Sequence, residues 1–143
     1  MTKFAQGIYK ILNPQKYVGK RSPRYRSSWE WSFMHFCDNN KNILQWASES
    51  VAIQYRHPFT GKITNYIPDF LITYQTKDNT MQAELIEIKP SSQSVIEGKM
   101  SEQARMVVAV NQAKWAAARA WAQRNGLVFR ILTEKELYHN GNR

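Results

Sequence analysis

The sequence predicts an α/β fold in which a central mixed β-sheet is flanked by helices. Two stretches, one near each end of the chain, carry apolar residues at helical spacing. Between them lie apolar or alternating stretches bounded by Gly, Pro, Asn and Asp, as strands usually are. The resulting order is helix, three antiparallel strands, helix and strand. That order is typical of an α/β sandwich.

The first helix is expected to begin at Ser27 or Ser28. Residues 27–30 read Ser-Ser-Trp-Glu and match the capping box, in which Ser and Glu side chains satisfy free backbone N–H groups. The polar run Asp38-Asn39-Asn40 ends the helix. Cys37 lies in its apolar stretch, which favours a buried thiol over a reactive one. The sequence has one cysteine, so no internal disulfide can form, which fits a reducing cytoplasm.

Three strands are expected next, at residues 50–55, 63–74 and 81–89, with turns at residues 57–62 and 77–80. Pro68 predicts a bend or a sheet edge within the second strand, because proline cannot donate to a β-ladder. A long alanine-rich helix follows at residues 102–124, with Gly126 as the left-handed residue just beyond its end. The fourth strand is expected at residues 127–132.

The charge balance favours a polyanionic partner. The 143 residues, an ordinary length for one domain, include 20 Lys and Arg against 11 Asp and Glu, a formal net charge of +9. No apolar run could cross a membrane and no basic amphipathic helix stands out, so we expect a soluble protein that prefers nucleic acid to a membrane.

The N-terminal residues 1–26 are expected to form an irregular basic arm ahead of a domain at residues 27–143. Cations and tyrosines alternate along this arm without a clear period. It is therefore either a solvated leader or a strip that binds phosphates. The candidate phosphate-binding side chains are Lys20, Arg21, Arg24 and Arg26.

A candidate catalytic cluster lies where the second and third strands meet. Asp69 follows Pro68, and Glu87-Ile88-Lys89 ends the third strand. Side chains alternate along a strand, so Glu87 and Lys89 share one face, and Asp69 can lie beside them if the strands are hairpin neighbours. The surrounding positions are apolar, so these charged groups are expected to be partly desolvated.

Residue types in this cluster fit phosphodiester hydrolysis. Neighbouring carboxylates repel each other, and a hard cation such as Mg²⁺ or Mn²⁺ relieves the repulsion through oxygen ligands. Such an ion polarises a phosphodiester and lowers the pKa of its bound water. Lys89 would hold or deprotonate the attacking water, or neutralise the charge that develops on phosphorus oxygens.

The cluster resembles the pattern of the PD-(D/E)XK nuclease superfamily, through Pro68-Asp69 and Glu87-Ile88-Lys89. Residues 25–30, Trp46-x-x-Glu49 and residues 66–70 are similar to the TnsA-like endonuclease branch. The similarity runs over residues 8–132 and is greatest to the head-completion nucleases of tailed phages. It implies a restriction-endonuclease-like core.

This resemblance also implies the site and its partners. The metal ligands would be Glu30, Asp69 and Glu87, with Lys89 as the fourth catalytic residue and Mg²⁺ or Mn²⁺ as cofactor. Lys114 would contact phosphate from a helix that borders the site. DNA and phage portal or head proteins would be the partners, in the host cytoplasm or the virion.

Simpler structural roles remain open for each residue. Glu30 could serve only as the capping-box glutamate, and Asp69 could merely pair with a lysine at a sheet end. Glu49 could orient the first helix or the arm rather than join the site. Glu87 with Lys89, and likewise Lys114, could lie on solvated faces.

Two functions from different classes follow. The first is a metal-dependent DNA endonuclease that finishes DNA ends after packaging. The second is an idle nuclease-fold module that binds DNA or virion components. RNA cleavage would use the same chemistry, and the sequence does not distinguish it from DNA cleavage.

Overall fold

Eight strands and two long helices build the protein, which a computed structural model describes over residues 6–94 and 98–135. The helices are α1 (Ser28–Asn39) and α2 (Glu102–Arg124). In chain order the strands are β1 (Gly7–Ile8), β2 (Arg24–Tyr25), β3 (Ile43–Ser48), β4 (Ile53–Arg56), β5 (Ile63–Tyr66), β6 (Phe70–Gln75), β7 (Met81–Ile88) and β8 (Val128–Leu132).

The central sheet has four strands in the order β3-β6-β7-β8. β3 pairs antiparallel with β6, β6 pairs antiparallel with β7, and β7 pairs parallel with β8. Because side chains alternate along β7, Ile86 and Ile88 pack with α1 residues while Leu85 packs with α2 residues. The predicted mixed sheet flanked by helices is therefore confirmed, with one helix on each face.

Helix ends follow the predicted capping chemistry. Ser27 caps α1, and its Oγ accepts a hydrogen bond from the Glu30 N–H at 3.1 Å. Gly126 adopts a φ of +75° just beyond α2, and the Leu127 N–H bonds to the Ala122 carbonyl at 2.8 Å. Cys37 is fully buried, as its apolar surroundings predicted. Among the described residues, no helix combines the length and the apolar character needed to cross a membrane.

The strand prediction was wrong in two places. β3 was not predicted, because five of its six residues are at least partly buried and no alternation marks it. Residues 63–74 form two strands, since Ile67, Pro68 and Asp69 interrupt the ladder between β5 and β6. β4 and β5 then make a separate hairpin that packs on α2, so the antiparallel trio of the central sheet is β3, β6 and β7.

In the N-terminal segment, the described residues 6–26 form a short strand pair and pack on α1. β1 and β2 pair with each other, and Tyr9 is buried in the core beside α1. Lys16 Nζ donates to the carbonyls of Cys37 at 2.6 Å, Asp38 at 3.1 Å and Asn40 at 2.7 Å. These bonds satisfy carbonyls at the C-terminal end of α1 and fasten the segment to the helix.

Candidate active site

Asp69 and Glu87 meet where β6 begins and β7 ends. Phe70 is paired with Ile86 in the antiparallel register, so one further step along both chains sets Asp69 opposite Glu87. Opposite residues in an antiparallel pair project to the same face. Asp69 also reaches β7 directly, because its Oδ2 accepts a hydrogen bond from the Ile88 N–H at 2.8 Å. Both carboxylates therefore lie on the face that α2 covers.

The Glu87 carboxylate contacts one neutral partner, a tyrosine hydroxyl, and one positively charged partner, a lysine ammonium group. Its side chain is nearly buried, and Oε1 accepts a hydrogen bond from the Tyr66 hydroxyl at 2.8 Å. Oε2 lies 3.6 Å from Lys89 Nζ, close enough for an ion pair. The Lys89 N–H donates to the Leu132 carbonyl at 3.0 Å, so the lysine backbone is anchored to β8.

Lys114 brings a second cation to the cluster from α2. Its Nζ lies 6.0 Å from the centroid of the Tyr55 ring and 5.8 Å from that of Tyr66. Burial lowers the pKa of Lys114, and the positive charge of Lys89 lowers it further, whereas the charge of Glu87 opposes the shift. Lys114 is therefore an electrostatic neighbour of Glu87 and Lys89.

Glu30 caps α1 in an altered way. In a capping box its carboxylate would accept from the Ser27 N–H, but here Oε1 accepts from the Arg26 N–H at 2.9 Å. Burial raises the pKa of Glu30, and the negative charges of Glu49 and Glu87 raise it further against the opposing effect of Arg26. A serine cap and proximity to the other carboxylates thus occur together.

The three carboxylates repel one another in a poorly solvated place. Burial raises the pKa of Asp69 well above its ordinary range, and the charges of Glu87 and Glu30 add to the shift. Burial also raises the pKa of Glu87, although Tyr66, Lys89 and Lys114 oppose it. Raised carboxyl pKa values of this origin are typical of sites that bind cations or perform acid–base chemistry.

The donor set fits a hard divalent cation. Asp69, Glu87 and Glu30 offer oxygens alone, which suits Mg²⁺ or Mn²⁺. Within residues 6–94 and 98–135, however, no three His, Cys, Asp or Glu side chains form a ready-made metal site. Oxygens of Asp69 and Glu87 are engaged by Ile88, Tyr66 and Lys89 instead.

The predicted DNA-binding cations lie in different surroundings. Lys20 and Arg21 line a cavity of about 360 Å³ together with Glu49 and Ile67, close in sequence to Asp69. Arg24 is exposed on β2. The Arg26 guanidinium is engaged by a carboxylate, with Nη1 2.8 Å from Glu49 Oε2.

Sequence reasoning gave no role to Tyr66. Its hydroxyl contacts Glu87 and its ring contacts Lys114, and burial raises its pKa, as do the charge and hydrogen bond of Glu87. An aromatic hydroxyl three residues before the site aspartate was the available signal. The partner of that hydroxyl lies 21 residues away in sequence, so spacing alone could not identify it.

Two comparisons with known proteins identify relatives of this chain. Residues 40–134 match the family model of the TnsA-like endonuclease N-terminal domain. Over 136 residues the chain is 35% identical to the head completion nuclease of Enterobacteria phage T4, with 87% of this chain and 88% of that protein covered.

The mixed sheet and these two matches define the protein as a nuclease. More particularly, the chain belongs to the TnsA-like endonuclease family.

Proposed function

We propose that the protein is a magnesium-dependent DNA endonuclease of the PD-(D/E)XK type. Asp69, Glu87 and Glu30 would hold the metal, and Mn²⁺ would substitute for Mg²⁺. The observation that carries the proposal is the position of Asp69 opposite Glu87, with Lys89 Nζ 3.6 Å from the same glutamate. Two acids and an ammonium group at one sheet end match the needs of phosphodiester hydrolysis.

Hydrogen bonds orient the carboxylates for this task. The Ile88 N–H fixes one oxygen of Asp69, and the Tyr66 hydroxyl fixes one oxygen of Glu87. Groups that hold ligands in this way limit the rearrangement needed when the site is filled. When bound, the cation would polarise the phosphodiester and lower the pKa of a water molecule.

Lys89 would act on the attacking water or on the phosphate itself. Its ammonium group donates hydrogen bonds and carries positive charge beside Glu87, where a scissile phosphate would lie against the metal ligands. Lys114 adds a second positive charge near Glu87 from α2. We assign Lys114 to a phosphate oxygen and Lys89 to the reacting group.

DNA would reach the site along basic side chains of the N-terminal segment. Lys20 and Arg21 border the cavity near Asp69, and exposed Arg24 extends the positive surface. Contacts of this kind bind the backbone rather than the bases, so cleavage should depend on DNA shape or ends and weaken as salt rises.

The biological role we propose is finishing of DNA ends during phage assembly. It rests on the name of the T4 relative, a head completion nuclease, and on the coverage of both chains. Portal or head proteins would then be partners, and the protein would work in the host cytoplasm and at the virion.

A plasmid-nicking assay with Mg²⁺ tests the chemistry. We expect the unchanged protein to nick supercoiled DNA, and Asp69→Asn and Lys89→Met to lower the rate by about 10²-fold or more. Arg130→Gln, which breaks an ion pair with Glu84 on β7, serves as a control that should keep the wild-type rate. Undiminished cutting by the Asp69 and Lys89 variants would reject the mechanism. A matched RNA substrate in the same assay would reveal ribonuclease activity.

A further inference from the structure

Glu49 and Arg26 stand beside the carboxylate cluster without belonging to it. We propose that they form a positioning pair that holds Glu30 and Asp69 in one arrangement for the metal. This inference rests on the proposed function and deepens it, because it names residues that act on the ligands rather than on the DNA.

Arg26 connects Glu30 to Glu49. Its backbone N–H donates to Glu30 Oε1 at 2.9 Å, and its side-chain Nη1 lies 2.8 Å from Glu49 Oε2. Both bonds come from one residue, so fixing the guanidinium also restricts the backbone that orients Glu30. Arg26 immediately precedes the N-cap of α1, where no helical hydrogen bond would otherwise hold it.

Glu49 connects the pair to Asp69. Its N–H donates to the Asp69 carbonyl at 2.9 Å, directly after the end of β3. Its φ is +50°, a left-handed conformation that glutamate rarely adopts. Such a conformation persists where the surroundings hold it, and it is common at functional sites. Here it directs the carboxylate to Arg26 while the backbone stays bonded to Asp69.

A second ion pair, between Arg130 and Glu84, can be compared with the pair of Arg26 and Glu49. Arg130 Nη1 lies 3.2 Å from Glu84 Oε1, and its side chain is 49% exposed against 51% for Arg26. The carboxylate partners differ, because the Glu84 side chain is 6% exposed and that of Glu49 is 28% exposed. Glu84 is bonded by Arg130 and by the Tyr74 hydroxyl, whereas Arg26 bonds to Glu30 and Glu49 bonds to Asp69. Because the two arginines are equally exposed but connected differently, Arg130→Gln controls for the loss of an arginine from an ion pair.

Metal binding measured by calorimetry tests the proposal without reference to cutting. The probe is Mn²⁺, titrated into the full chain without DNA. We expect Glu49→Gln and Arg26→Gln each to weaken Mn²⁺ binding by about 10-fold, as loss of groups that orient ligands does. Arg130→Gln should bind as the unchanged protein does. In the nicking assay both variants should lower kcat at subsaturating metal and alter KM for DNA by less than about twofold.

The direction of the Arg26 effect separates positioning from simple charge. If the two residues acted only through their fields, removing the positive Arg26 would tighten Mn²⁺ binding and removing the negative Glu49 would weaken it. Positioning requires both variants to weaken binding. It also requires the double variant to lose no more than either single one, because the two residues act as one unit.

A backbone control completes the design. Glu49→Gly keeps the left-handed conformation without strain and removes the carboxylate, so it should weaken Mn²⁺ binding as Glu49→Gln does. Wild-type metal affinity in Glu49→Gly, tighter binding in Arg26→Gln, or a rise in KM for DNA with unchanged metal affinity would each overturn the proposal. Failure of the unchanged protein to bind Mn²⁺ or cut DNA would instead reject the proposed function, and this inference with it.

Discussion

Two aspartates of this protein, the buried Asp38 and the half-buried Asp69, have pKa values shifted in opposite directions. Asp38, at the end of α1, is 1% exposed, and its carboxylate accepts hydrogen bonds from the Tyr9 hydroxyl, the Leu12 N–H and the Asn13 N–H at 2.7–3.0 Å. Burial alone would raise the pKa of Asp38, but these donors outweigh it and lower the pKa. The difference from Asp69 lies in the neighbours, which are donors around Asp38 and mainly carboxylates around Asp69.

This contrast distinguishes a carboxylate that hydrogen-bond donors stabilise from carboxyl groups that repel one another. Asp38 ties the N-terminal segment to the end of α1, so its negative charge is already compensated inside the folded chain. The carboxyl groups of Asp69, Glu87 and Glu30 instead lie among like charges, which raises their pKa values together with burial. Under the proposed function, a bound cation would relieve this repulsion.

The largest effects are expected from substituting the two aspartates: Asp38→Asn should lower stability, whereas Asp69→Asn should lower activity. Asp38→Asn should lower the free energy of unfolding by about 2–3 kcal/mol, because a charged acceptor of several buried bonds is lost. Asp69→Asn should leave the unfolding free energy of the metal-free protein equal or higher, because repulsion within the cluster falls. Urea denaturation with EDTA present measures both.

Nicking activity completes that comparison. Per folded molecule, Asp38→Asn should cut DNA at the wild-type rate, while Asp69→Asn should be nearly inactive. The distinction between the two aspartates fails if the Asp69 substitution destabilises the metal-free protein as strongly as the Asp38 substitution does.

The stability of the protein should depend on pH in opposite directions through Asp38 and through the carboxyl groups of Asp69, Glu87 and Glu30. Asp38 has a lowered pKa in the folded state, so its contribution is present above the unfolded pKa and is lost as pH falls through the folded value. Asp69, Glu87 and Glu30 have raised pKa values, so the metal-free protein should lose stability as pH rises through them, by up to about 1.4 kcal/mol per pH unit for each proton released.

Chemical denaturation across mildly acidic to neutral pH measures this slope. Asp69→Asn should reduce the loss of stability as pH rises, because one of the titrating carboxyl groups is removed. Saturating Mg²⁺ should also reduce this loss, because it favours the ionised carboxylates. An unchanged decline in the Asp69 variant would show that the cluster does not control the slope.

The smallest effects are expected for Lys16 and Lys114, which differ in the same way as the two aspartates: one supports stability and the other is assigned to activity. Burial lowers the pKa of both Lys16 and Lys114, but Lys16 Nζ bonds three backbone carbonyls whereas Lys114 lies near Glu87 and Lys89. Lys16→Met should cost about 1–2 kcal/mol of stability with normal cutting per folded molecule. Lys114→Met should fold normally and cut about 10-fold more slowly. Thermal melting with parallel nicking assays distinguishes them, and a stability loss in Lys114→Met would weaken its assignment to phosphate.

Local patterns in the sequence were enough to predict the parts that depend on short spacing. The cap at Ser27, the end of α2 at Gly126 and the placement of Asp69 beside Glu87 follow from rules that span a few residues or one hairpin. The convergence of Asp69, Glu87 and Lys89 needed only strand alternation and an antiparallel turn.

Contacts between distant residues could not be predicted in that way. β3 shows no alternation because it is buried almost throughout, and Trp46 within it is fully enclosed. The bond from Tyr9 to Asp38 spans 29 residues, and the pair of Arg26 with Glu49 spans 23. Such pairs depend on how the N-terminal segment docks, which composition and periodicity do not encode.

Because the N-terminal segment packs on α1, removing it from an expressed version of the protein should have a cost. A version starting at Ser27 would keep every proposed metal ligand and Lys89, yet it would deprive Asp38 of its donors and expose the core surface that Tyr9 covers. We expect such a truncated protein to aggregate or to be degraded in cells. The N-terminal segment should therefore be kept in any shortened version of the protein that is expressed.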